Sequence, residues 1–174
     1  MSAVEYRHDN PIGRLGILNV RPSVDSGRWP AKAFAGEVLP FSATVFREGH
    51  DSIAAELILT SPTKKTSVHR MHPGAPGTDS FHTRAQLSEI GRYSFVIRAF
   101  GDDFETWHHN AAVKIAVGID EELMLLEGVA LLTRAAAEKD RSKSNAKALV
   151  KLAEQLGDTK KTPSSRLQLA ETAE

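Results

Sequence analysis

The sequence contains no cysteine. That one absence excludes disulfides, thiolate zinc sites, iron–sulfur clusters and a cysteine nucleophile. An excess of one charge is lacking too, since 22 Lys and Arg balance 22 Asp and Glu. A protein held to nucleic acid by electrostatics normally shows a basic balance or stripe, so nucleic acid is not an expected partner. No run approaches the roughly 18 apolar residues that a membrane span needs, and no membrane association is expected. The opening Met1–Asn10 stretch is polar and has no apolar segment of the secretory type. The expected location is therefore cytoplasmic. What the chain does have, 41% hydrophobic and 25% charged residues over 174 positions, suits one globular domain or a small domain with an appendage.

Proline and glycine become scarce partway along. Seven of eight prolines, ten of twelve glycines and both tryptophans lie in residues 1–118, whereas 119–174 is rich in Ala, Leu, Glu and Lys. The expected organisation is a flexible start over 1–12, a β-rich domain over 13–118 and a helical extension over 119–174.

Period-two alternation marks the strands. Phe41, Ala43 and Val45 share one face, as do Ile53, Ala55, Leu57 and Leu59, and then Tyr93, Phe95, Ile97 and Ala99. Val113, Ile115 and Val117 make a shorter run of the same kind, and 14–20, 31–38 and 66–71 are weaker ones. Polar residues such as Thr44, Glu56 and Arg98 occupy the opposite faces, as in a half-buried antiparallel sheet. About seven short strands separated by clusters such as Arg47-Glu-Gly-His-Asp-Ser52 predict a mainly β fold, an immunoglobulin-like sandwich. A closed barrel fits the same pattern.

Beyond Gly118 the period changes. Asp120-Glu-Glu122 predicts a helix start, with a cap and negative charge at the positive end of the dipole. Ile119, Leu123, Leu126 and Ala130 follow at helical spacing to about Glu138, and Ala146, Leu149, Val150, Ala153 and Leu156 form a second stripe ending at Gly157. Each stripe needs a cover, either the rest of the chain or a partner. Residues 166–174 are expected to begin a third helix or to hang free.

Candidate chemistry is sparse. The seven histidines include the pairs His108-His109 and His69/His72, whose side chains diverge on an extended strand, so no metal site is expected. Gly74-Ala-Pro-Gly77 lacks the residues of a phosphate-binding loop and reads as a turn. Glu37, Glu48, Asp51, Asp79, Asp102, Asp103 and Glu105 could supply a carboxylate pair of the glycosidase type, but they lie in turn-like segments. Trp29 and Trp107 have two readings: they plug the core, or an exposed ring stacks on a sugar. No catalytic residue and no cofactor is expected.

The order of several motifs resembles a known family. Gly13-Arg-Leu-Gly-Ile-Leu-Asn-Val20, Gly27-Arg-Trp-Pro-Ala-Lys-Ala33 and Ser42-Ala-Thr-Val-Phe-Arg-Glu-Gly-His-Asp51 are similar to the beginning of the alpha-1,4-glucan:maltose-1-phosphate maltosyltransferases of the alpha-amylase superfamily. Gly91-Arg-Tyr-Ser-Phe95, Thr106-Trp-His-His109, Leu126-Glu-Gly128 and Arg134-Ala-Ala136 keep the order, with coverage from about 13 to 138. The resemblance implies a non-catalytic amino-terminal domain, with the two catalytic carboxylates on a (β/α)8 barrel that this chain lacks. It implies a homodimer formed through sandwich, helices or both, and contact with that barrel, and it makes Leu123, Leu126, Leu149 and Val150 candidate contact residues. The alternative is a stand-alone module that binds alpha-glucan through Trp29 or Trp107.

Overall fold

Alternation of apolar and polar side chains builds six antiparallel strands among the described residues, which run from 14 to 171 in a computed structural model. They are β1 (Leu15–Arg21), β2 (Val38–Arg47), β3 (Ile53–Thr60), β4 (Thr66–Pro73), β5 (Ser80–Gln86) and β6 (Ser94–Gly101). The flexible start expected over 1–12 lies outside the described residues. Strand order is β1-β2-β5-β4-β3-β6. The β4–β5 ladder holds only at His72↔His82 and Pro73↔Phe81, so this corner joins two three-stranded layers, β1-β2-β5 and β4-β3-β6.

The layers meet through the faces that the alternation marks. Phe41, Ala43 and Val45 of β2 and Ala55, Leu57 and Leu59 of β3 are buried in one core with Met71, Phe81, Ala85 and Ile97. Phe41 and Phe95 pack edge to face across it, their ring centroids 5.0 Å apart. Each large side chain taken fully from water contributes about 1.5–3 kcal/mol. The result is the expected immunoglobulin-like sandwich, nearly closed, followed by helices.

Four helices make the second compact unit, which begins at Asp102. They are α1 (Asp103–Ala116), α2 (Glu121–Ala136), α3 (Lys143–Leu156) and α4 (Pro163–Glu171). Asp102 starts α1 by accepting a hydrogen bond from the Glu105 amide at 3.0 Å, one half of the Asp-x-x-Glu capping pattern. Ser142 starts α3 in the same way through the Asn145 amide. Met124, Leu125, Ile115, Ala111, Leu152, Leu156 and Leu167 form this unit's own core. Among the described residues no helix is long and apolar enough to cross a membrane.

Several expectations are corrected. Residues 113–117 belong to α1 and its end rather than to a strand. Their alternation is incidental, for only Ile115 is buried while Val113 and Val117 are exposed. Gly118, at φ +71°, ends this helix: the Ile119 and Gly118 amides donate to the carbonyls of Lys114 and Ile115, a left-handed cap that glycine accepts without strain. The shift in composition at Gly118 therefore marks a helix end, and the units divide at Gly101/Asp102 instead. Residues 31–37 form no strand, whereas β5 had no clear signal. The Asp120 carboxylate makes no cap and meets Lys114 Nζ at 3.1 Å. The last helix, expected from Arg166, is α4 and starts at Pro163.

Candidate functional site

The two tryptophans part company. Trp29 follows a single 3-10 turn at Asp25–Gly27, is held by a lone bridge to Val24, and is 59% exposed. Phe34, 84% exposed, lies five residues further on, where its amide donates to the Glu37 carboxylate at 2.8 Å. Trp107 is only 7% exposed. Its indole N–H donates to the Met124 carbonyl at 2.7 Å, Phe104 lies against it, and Gly128 of α2 packs so closely on the ring that no Cβ fits. No face is left for a sugar, so Trp107 takes the core reading and its stacking role is corrected.

The helix contact candidates divide as well. In α2 the buried positions are Met124, Leu125, Gly128 and Leu132. Leu123 and Leu126 sit on the opposite side, 51% and 62% exposed. This helix is thus apolar on two faces, and the stripe visible in the sequence is the outer one. Leu149 is half-buried against the helical core, while Val150 stays exposed. Val113, Val117 and Ile119 add exposed apolar surface in α1 and the turn after it. Sequence reasoning missed the first two because it placed them in a strand.

The carboxylates serve local structure. Asp102 caps α1, Asp103 pairs with Arg134 at 2.8 Å, and Asp51 pairs with Arg47 at 2.9 Å. Among the described residues no three His, Asp or Glu side chains gather to hold a metal ion. His69 Nε2 meets Ser67 Oγ at 2.9 Å, and His72 stands opposite His82 across the β4–β5 corner. A shallow cleft of about 140 Å³ is bordered by Leu59, Ser67, Gln86 and Tyr93, against roughly 300–1,000 Å³ for a small-molecule site.

Arg166 carried no signal in the sequence. It is buried to 1% exposure, and its guanidinium donates to the Leu156 carbonyl at 3.1 Å and to the Glu122 carboxylate. One arginine thereby ties α4 to the end of α3 and the first turn of α2.

Comparison with known proteins bears on these surfaces. Residues 13–174 match the family model described as alpha-1,4-glucan:maltose-1-phosphate maltosyltransferase, domain N/S. The chain is 39% identical over 172 residues to alpha-1,4-glucan:maltose-1-phosphate maltosyltransferase 1 of Streptomyces coelicolor, covering 98% of this chain and 25% of that protein. It is 38% identical over 146 residues to the maltosyltransferase of Corynebacterium pseudotuberculosis, covering 83% and 22%. With that of Mycolicibacterium smegmatis it shares 34% over 155 residues, covering 71% and 22%. The chain spans about a quarter of the length of the curated relatives it matches.

Proposed function

Because this chain belongs to the domain N/S family of the alpha-1,4-glucan:maltose-1-phosphate maltosyltransferases, we propose that it is the non-catalytic amino-terminal part of a longer, cytoplasmic enzyme. That enzyme transfers maltosyl units from alpha-maltose 1-phosphate to alpha-1,4-glucans. The part described here dimerises the polypeptide and braces its catalytic barrel, so its effect on turnover comes through positioning the reacting parts.

The observation that carries this reading is the second apolar face of α2. Leu123 and Leu126 are not needed for the helical core, which Met124, Leu125 and Leu132 already fill. Large side chains left outside in this number favour a partner over solvent. A second reading rests on Trp29 and Phe34, whose exposed rings suit the apolar face of a glucan.

Two measurements test the proposal. An immunoblot of the source cells should show a product about four times the 19.0 kDa of this chain, and a sole product at 19.0 kDa overturns it. The 174-residue chain should release no phosphate from alpha-maltose 1-phosphate, and release by it overturns the non-catalytic role. For the second reading, calorimetric titration with a long malto-oligosaccharide should give saturable heat that Trp29→Ala removes.

A further inference from the structure

β2 turns an aromatic ring outward. Its core positions are Phe41, Ala43 and Val45, so Ser42, Thr44 and Phe46 face away from the core, and Phe46 is 43% exposed. Opposite Phe46 on β1 stands Gly16. A Cβ at Gly16 would lie 2.5 Å from Phe46 Cζ and 2.8 and 2.9 Å from its two Cε atoms. Distances so close to one another belong to a point above the plane of the ring at Cζ, since an edge-on approach would leave both Cε atoms well beyond Cζ. The Phe46 ring therefore lies flat across the Gly16 backbone, a pairing open only to glycine, with one face on the strand and the other toward water.

The neighbouring row on this face is Leu18, Thr44 and Ser80, without a charged side chain. The Asn19 side-chain amide donates to Thr44 Oγ1 at 3.3 Å, and Thr78 Oγ1 meets Ser80 Oγ at 2.7 Å. The hydroxyls are thereby held in place, and each keeps further hydrogen-bonding capacity. Charge first returns one row further on, at Arg21. An anion would lack a counter-charge at Phe46, and a wholly apolar partner would bury these hydroxyls without new partners. A sugar ring answers both, with C–H groups for the flat ring and hydroxyls for the row beside it.

We propose that Phe46, with Thr44, Ser80 and Asn19, forms a binding platform for a neutral glucan chain, made of residues other than the Trp29 and Phe34 pair. The platform rests on the geometry, and the choice of an alpha-1,4-linked glucan rests on the reading of the chain as part of a maltosyltransferase. A platform of this kind tethers a long glucan and raises its effective concentration for a second site on the same polypeptide.

The test is titration of the isotope-labelled 174-residue chain with maltoheptaose, read from amide shifts in NMR spectra. Saturable shifts should appear in residues 16–19, 44–46 and 78–80. Phe46→Leu keeps an apolar cover over Gly16 but has no ring face, and it should weaken binding by about fivefold or more. Phe46→Trp should bind at least as well, and Trp29→Ala should leave the affinity read at these amides unchanged. Absence of shifts in these segments overturns the platform. So do shifts that Phe46→Leu leaves as tight, or that Trp29→Ala abolishes. Equal affinity for cellohexaose overturns the alpha-1,4 assignment. Should Phe46→Leu misfold, NOEs between Phe46 ring protons and sugar C–H protons in the unsubstituted protein decide, their presence supporting the platform and their absence overturning it. A long native product without these shifts refutes the platform and leaves the parent reading standing, whereas these shifts with a sole product of 19.0 kDa do the opposite.

Discussion

The sandwich and the helical unit spend their apolar residues differently. In β2 and β3 nearly every large apolar side chain on the inner face reaches the core, and the polar ones point out. In α2 the core takes Met124, Leu125 and Leu132 while Leu123 and Leu126 stay outside. A strand has two faces at period two, so a surplus leucine there disturbs the alternation. A helix rich in leucine can fill its core and still carry a second stripe, because a core-facing stripe need span only a little over a quarter of its circumference. The strands leave their surplus outside one or two residues at a time, at Val38, Phe46, Val68 and Val96, whereas α2 gathers Leu123 and Leu126 on one outer face.

The largest effects should come from breaking each core at its centre. Leu57 is fully buried between layers, and Leu57→Ala should lower stability by about 2–5 kcal/mol through lost transfer energy and a cavity. Chemical denaturation followed by circular dichroism, with amide exchange at β2 and β3, measures it. In the helical unit the counterpart is Gly128→Ala. Glycine-to-alanine in a helix normally gains about 0.8–1 kcal/mol. Here the new methyl would meet the Trp107 ring, and overpacking of about 1–3 kcal/mol should outweigh that gain. Net loss of stability, with faster exchange at α1 and α2, is the expected outcome; a stabilised protein would mean that the ring moves freely and is no fixed core element.

Much of this contrast was legible beforehand. β2, β3 and β6 show clean alternation because their inner faces are uniformly apolar. β5, Ser80-Phe-His-Thr-Arg-Ala-Gln86, buries only Phe81 and Ala85 and so leaves little pattern to read. The inner face of β4 offers Ser67 and His69 beside Met71, and stands out no better. α1 carries two overlapping periods: Phe104, Trp107, Ala111 and Ile115 at helical spacing, Val113, Ile115 and Val117 at strand spacing. The Asp102-x-x-Glu105 cap decides for the helix, but acids in that stretch also fit a turn. At the candidate surfaces Leu123 and Leu126 were found from spacing alone. Trp107 was ambiguous because only the approach of Gly128 closes off its ring. Arg166 was invisible, since an arginine on a helix is ordinarily in water.

A smaller effect belongs to the Arg166 clamp. Removing one partner of a fully buried ion pair costs about 3–5 kcal/mol. The Glu122 side chain is 59% exposed, however, so solvent already screens it and reaches the pair when it is gone. Glu122→Ala should cost only about 1–2 kcal/mol, including the lost acid in the first turn of α2. Arg166→Met, which keeps much of the packing, should cost a similar amount. The measurement is amide exchange at α4, which should speed in both variants more than at α1. Unchanged exchange would mean that Leu167 and Ala170 hold α4 unaided.

The smallest effect on stability is the one that tests the surplus. Leu123→Glu with Leu126→Glu touches no residue of the helical core, and surface substitutions of this kind stay within about 0.5 kcal/mol. Were these side chains merely tolerated in water, nothing else would change. If they meet a second copy, two carboxylates placed in an apolar contact are left desolvated and unpaired, and association should weaken at least a hundredfold. Sedimentation of the full-length polypeptide reads the assembly, and maltosyl transfer by the same sample reads the consequence. Unchanged stability with loss of the dimer gives the outer face of α2 its role. Unchanged stability with an intact dimer would leave the second stripe without one, and the difference between the two units would reduce to how readily a leucine-rich helix accommodates leucine.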